Sequence, residues 1–217
     1  MKQKNLIRIT GLSGVAGGIL LFAADMLLYY NNNQTDRLLN MAQAADWRIE
    51  LSGVFALLAT WLYLFGVVPV YYAFGKSRPY IQITVTVLLG AILIAYGVIH
   101  GAYTAIAVSA KSAYWHQLNM IENTRLAIET NQLMRLLVYP VFGILSVLFI
   151  YQVLTKKTYY PVWIIPFFPL LPFLLRKQVK NLLHGQWEII VWGGYLNLIV
   201  ILFLLASLIS LWNKNLD

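Results

Sequence analysis

ITGLSGVAGGILLFAADMLLYY, residues 9–30, decides the fold, because Asp25 is the one charged residue in it. About 20 mostly apolar residues wound as a helix cross about 30 Å of hydrocarbon, so the stretch reads as a membrane span. The rest of the 217-residue chain agrees: 60% of it is hydrophobic, 11% is charged, and the mean hydropathy is +0.68. A soluble domain carries about 25% charge, and this chain has too little polar surface to wrap a water-soluble globule. With no cysteine, disulfides, thiolate metal sites and iron–sulfur clusters are excluded. The net charge of +8 lies between apolar runs rather than in one basic stripe, so nucleic acid is not an expected partner.

Outward from that stretch, four further runs are long enough to span: Leu51–Phe74, Ile81–Ser109, Leu133–Leu154 and Trp187–Trp212. Pro161–Leu175 is shorter and carries Pro161, Pro166, Pro169 and Pro172. Interior prolines remove backbone hydrogen bonds and clash with the preceding turn, and such backbone survives at membrane depth only where protein or a wet cavity covers it. The expected fold is an all-α integral membrane protein, a single polytopic domain over residues 1–217. It is a bundle of six transmembrane helices with the fifth short and proline-broken; the alternative is five spans plus a re-entrant segment at 161–175.

The first run is expected to be retained rather than cleaved. It exceeds the roughly 7–15 residues of a signal-peptide core, and a long polar segment separates it from the small-residue triplet Ala42–Gln43–Ala44. Lysine and arginine in short connections set orientation. Lys2, Lys4, Arg8, Lys76, Arg78, Lys156, Lys157 and Lys214 crowd short tails and turns on the N-terminal side, with Asp217 as that side's acid. Opposite them, Arg37, Arg48, Lys111, Arg125, Arg135, Arg176, Lys177 and Lys180 are diluted by the other acids. A cell-membrane protein with both termini cytoplasmic is expected, although Arg176, Lys177 and Lys180 sit awkwardly outside. Tyrosines and tryptophans near the run ends suit the headgroup layer.

Two strings look catalytic. Gly11-Leu12-Ser13-Gly14 has the G-x-S-G form found around the nucleophile of rhomboid intramembrane proteases. It lies on the first run rather than a later one, and no histidine follows at the expected position. Gly11, Gly14 and Gly18 read instead as a small-residue face for close helix packing. His100, His116 and His184 with nearby carboxylates fall in no zinc-ligand spacing, so neither a metal nor another cofactor is expected. The external acids suit helix starts: Asp46 as a cap and Glu50 in the first turn of the second helix, Glu129 and Glu188 near the starts of the fourth and sixth.

Asp25 resists that explanation. It lies inside an apolar run near the helix end whose dipole opposes its charge, and a carboxylate in hydrocarbon costs a few kcal/mol or more. Gly11, Gly18 and Asp25 are spaced by sevens, so Asp25 shares the packing face and points into the bundle. His100, at similar depth in the third run, is its natural counterpart, and Arg48 is the competing one. Tyr96, Tyr103 and Thr104 share the His100 face. Asp25 and His100 are therefore the candidate catalytic residues, and Tyr96, Tyr103, Thr104 and Arg48 the candidate ligand contacts. Asn197 reads as a cross-helix hydrogen bond in a closely packed last span, with the stripe Glu188, Trp192, Tyr195 pointing elsewhere.

Three functions follow. The first is a protein, enzyme or not, that binds a lipid or small hydrophobic molecule in an externally open polar cavity. Its partners would be membrane lipids and such a ligand, with Asp25 and His100 orienting a head group or exchanging a proton with it. The second is a small proton-coupled transporter working as a homodimer, with the proline-broken segment as moving element. The third is an assembly or scaffold protein with no ligand site.

Overall fold

The computed structural model describes residues 2–31 and 36–214; Asp217 and the side chain of Lys2 lie outside the described residues. The chain is all-helical, and no strand occurs among the described residues. Helix α1 (Lys2–Tyr29) is followed by the short α2 (Arg37–Gln43), α3 (Asp46–Gly66) and α4 (Val68–Ala73). The long α5 (Pro79–Trp115) and α6 (Met120–Leu154) come next, then a 3-10 turn (Val162–Phe167), α7 (Leu170–Leu174), α8 (Arg176–Leu182), a π turn (Glu188–Trp192) and α9 (Tyr195–Leu211).

Local chemistry sets these boundaries. Asp36 accepts from the Leu38 and Leu39 amides at 2.9 and 3.2 Å and caps α2, and Asn119 caps α6 through the Ile121 and Glu122 amides. Pro79 opens α5 at a position where a missing amide costs nothing. The α5 exit closes with the Leu118 amide on the Ala113 carbonyl at 2.8 Å while Gln117 takes a left-handed φ of 56°. Two expected helix starts differ: one cap and one first-turn acid. Since α6 begins at Met120, Glu122 rather than Glu129 lies in its first turn. Asp46 is the first residue of α3 rather than its cap, and pairs with Lys111 Nζ at 2.6 Å.

Helix α1 is the axis of the bundle. Against α3 it runs antiparallel, and the two backbones meet at Gly14 and Gly66: a Cβ on Gly14 would stand 2.6 Å from the Gly66 Cα. Against α9 it is again antiparallel, with Gly11 under Leu208, Gly18 under Ile201 and Gly193 under Tyr29. Arg8 donates to the Trp212 carbonyl at one end of this pair. Helix α5 packs on α3 and α6 on α5. Phe149 stacks on Phe168 at 4.2 Å and meets Phe203 edge-on at 5.5 Å, which joins α6, the proline-rich stretch and α9.

Four helical stretches among the described residues are long and apolar enough to cross a membrane: Gln3–Tyr29, Asp46–Ala73, Pro79–Trp115 and Met120–Leu154. The pair Val162–Leu174 and Arg176–Leu182, bent by 72°, makes a fifth if it counts as one span. The last run differs from expectation. The π turn and the Gly193–Gly194 step interrupt it, leaving the shorter Tyr195–Leu211 as regular helix. Many large apolar side chains face outward, with Val147 70% and Leu137 68% exposed. Such a surface is a liability in water and suggests a membrane protein.

Candidate functional site

Four helices deliver one polar group each to a point inside the bundle. Asp25, one turn before the end of α1, is 8% exposed; His100, in the middle of α5, is 5% exposed. His100 Nδ1 and Asp25 Oδ1 are 3.0 Å apart. The other carboxylate oxygen, Oδ2, accepts from Asn197 Nδ2 on α9 at 2.7 Å. On the far side of the imidazole, Nε2 lies 2.9 Å from Ser52 Oγ on α3, and that hydroxyl donates to the Ala24 carbonyl at 2.9 Å.

This pattern fixes the proton inventory. Ser52 has one hydrogen and gives it to Ala24, so Nε2 must donate to the Ser52 oxygen. A single further proton then lies between Nδ1 and Oδ1, and the Asp25–His100 pair is neutral as a unit whichever atom holds it. A buried pair is tolerated when its remaining lone pairs are also satisfied, and here Asn197 and Ser52 satisfy them.

Both members of the pair line a cavity of about 270 Å³ bordered by α1, α2, α5, α6, α7, α8, the π turn and α9. Tyr96, Tyr103, Val138, Phe142, Phe173 and Leu196 supply much of its wall. It occupies the gap between the α5–α6 and α1–α9 pairs. The Tyr195 hydroxyl donates to the Pro172 carbonyl at 2.7 Å and ties the proline-rich wall to α9.

The six residues singled out in the sequence divide four to two. Asp25, His100, Tyr96 and Tyr103 come together at the cavity. Arg48 does not reach Asp25: its guanidinium donates to the Met26 and Tyr30 carbonyls at 3.1 and 2.8 Å, closing the C-terminal end of α1. Thr104 turns its hydroxyl back onto the Gly101 carbonyl, with its methyl toward Gly53. Neither lines the cavity.

Sequence reasoning missed several others. Asn197 has a cross-helix bond as expected, but its acceptor is the Asp25 carboxylate itself. Trp192 and Tyr195 line the cavity rather than pointing away from it, at a place where a π turn over Glu188–Trp192 breaks the regular helix on which the expected face was drawn. Glu188 stays outside, 3.9 Å from Lys180. Arg37, Arg135 and Arg176 also line the cavity. The signal for Arg135 was Asn131 one turn earlier, whose Oδ1 accepts from Arg135 Nε at 2.9 Å. Among the described residues no group of three or more histidines and acids could hold a metal ion.

A family model matches residues 1–214, nearly the whole chain. The chain belongs to DUF6796, a family of unknown function. No curated protein and no solved structure matches it. Membership in DUF6796 therefore brings no ligand or reaction with it, and the chemistry has to come from the site.

Proposed function

We propose that this member of DUF6796 is a multi-pass cell-membrane protein that binds a lipid or small hydrophobic molecule in the cavity at Asp25 and His100. One observation carries the reading: a cavity of about 270 Å³ has a mixed apolar and polar wall and a buried, proton-sharing acid–base pair in its lining. Ligand sites are mostly apolar concavities with a few convergent polar groups, and an ionisable residue at membrane depth is by default a functional one. The Asp25–His100 unit would orient a polar group or exchange its proton with it, flanked by the Tyr96 and Tyr103 rings. In this reading the chain threads the bilayer six times, α9 with its π turn being the last crossing. Both termini are cytoplasmic, and the cavity opens toward the outer leaflet.

The test is mass spectrometry of what co-purifies with the wild type and with Asp25→Asn. A specific lipid or small molecule lost in the variant supports the reading; identical profiles would move the weight to packing. Reporter fusions after Leu183 test the threading, since a cytoplasmic signal there would make the proline-rich segment re-entrant. A second reading, a proton-coupled carrier working as a homodimer, is favoured by the 72° bend between Val162–Leu174 and Arg176–Leu182, where backbone outside a regular ladder is free to move.

A further inference from the structure

We propose that the ligand of this cavity carries a phosphate head group, held by Arg37, Arg135 and Arg176. The inference rests on the cavity being a binding site for an amphiphile and names the head group it selects.

The three arginines come from separate elements, the first residue of α2, the middle of α6 and the first residue of α8, yet line one cavity. Each guanidinium lies over an aromatic ring: Arg37 over Tyr29 at 5.8 Å, Arg135 over Tyr103 at 5.2 Å and Arg176 over Phe173 at 4.1 Å. Arg135 is fixed further by Nε on Asn131 Oδ1 and Nη2 on the Tyr103 hydroxyl, both at 2.9 Å. Its Nη1 keeps its hydrogens for something else. Arg176 spends Nη1 on the Phe173 carbonyl.

None of the three has a carboxylate partner among the described residues; the ion pairs there are Asp25–His100, Asp46–Lys111 and Glu188–Lys180. The single acid in the cavity lining is Asp25, and the proton it shares with His100 cancels its charge. The cavity therefore gathers three positive charges that cannot be relieved by deprotonation, with Arg135 and Arg176 half-buried and Arg37 exposed at its edge. Charge gathered in a partly apolar cavity is stabilised when an anion joins it.

Geometry selects among anions. A carboxylate offers one planar edge, which one guanidinium fork satisfies. Donors arriving from three elements suit a tetrahedral phosphate, with three acceptor oxygens and up to two negative charges. Val138, Phe142 and Leu196 on the same cavity supply apolar surface for an attached chain, so the ligand class is a phosphate-bearing amphiphile, with free phosphate as the other source of the same head chemistry.

The experiment measures binding to the purified full-length protein in neutral detergent by native mass spectrometry. The probes are phosphatidic acid, diacylglycerol with the same chains, oleic acid and inorganic phosphate. Phosphatidic acid should bind at least about tenfold more tightly than diacylglycerol or oleic acid, a difference of one or more charge-assisted contacts. Arg37→Gln combined with Arg176→Gln should remove that preference, bringing phosphatidic acid binding to the level of diacylglycerol in the same variant. Arg135→Lys, which keeps the charge and loses the fork, should weaken phosphatidic acid selectively. Equal binding of phosphatidic acid and diacylglycerol, or of phosphatidic acid and oleic acid, overturns the phosphate assignment while the amphiphile site stands. Failure of every lipid to bind overturns both. Inorganic phosphate binding as tightly as phosphatidic acid supports the arginine grip and removes the chain.

Discussion

Asn197 donates from α9 to the one oxygen of Asp25 that His100 leaves free, at 2.7 Å. The last helix is thereby latched to the first through a buried carboxylate. Asn197→Leu keeps the branching of the side chain and strands that oxygen. It should cost about 1–3 kcal/mol, the desolvation penalty of an unpartnered buried acceptor, and Asn197→Asp should cost more by setting two acids face to face. Thermal unfolding in detergent, wild type against each variant, reads the order directly.

Asp25→Asn should behave quite differently from His100→Leu. The new amide can donate to His100 Nδ1 and still accept from Asn197, so every partner stays satisfied and the cost should stay within about 1.5 kcal/mol. His100→Leu leaves a buried carboxylate facing an apolar group and should cost about 3–5 kcal/mol. Comparable losses in the two variants would mean that the pair contributes as packing volume rather than as a charge pair.

Gly14→Ala tests the backbone-to-backbone contact of α1 with α3. Its methyl would meet the Gly66 Cα at 2.6 Å, backbone on backbone, and only separation of α1 from α3 relieves it. A loss of about 1–3 kcal/mol is expected for such overpacking. Gly143→Ala on α6 is the control: nothing lies within 4 Å of its new Cβ, and relief of glycine's entropy cost should stabilise the helix by about 0.5–1 kcal/mol.

At the opposite end of the bundle, Lys214 donates to the Tyr159 carbonyl while Lys76 lies 4.5 Å over the Tyr159 ring. Burial pushes the Lys214 ammonium below the ordinary lysine range, and the charge of Lys76 pushes it the same way. The folded chain thus releases this proton before the unfolded chain does, and stability contributed here rises with pH across the interval below the ordinary lysine value of about 10.4. Lys76→Gln should move the Lys214 titration upward without restoring it fully, because burial is the larger cause. NMR of isotopically methylated lysines follows both titrations.

The long apolar runs of this molecule were legible at once, because apolar runs of spanning length have few other uses. Asp25 and His100 were legible for a related reason: an ionisable group in such a run must turn toward protein, and the glycines spaced by sevens from Asp25 gave the direction. The start of α9 was opaque. A π turn at Glu188–Trp192 leaves no compositional mark, yet it breaks the regular register in which Trp192 was read, and Trp192 lines the cavity. The arginines were hidden by a different ambiguity. Arg37 and Arg176 stand at helix starts, where a solvated cation is the ordinary reading, and only the tertiary arrangement places them on the cavity that Arg135 also lines. Arg48 misled because the open carbonyls at the end of α1 compete for a guanidinium as effectively as a carboxylate does.

The Ser52 hydroxyl, finally, makes the buried network a cul-de-sac. Its hydrogen ends on the Ala24 carbonyl, a main-chain oxygen with nothing to hand onward, so a proton reaching the imidazole must leave by the side it entered. A chain wired in this way can trade a proton with whatever occupies the neighbouring space, but it is no conduit from one face of the bundle to the other. Reconstituted into liposomes, it should carry no steady proton leak under an imposed pH gradient.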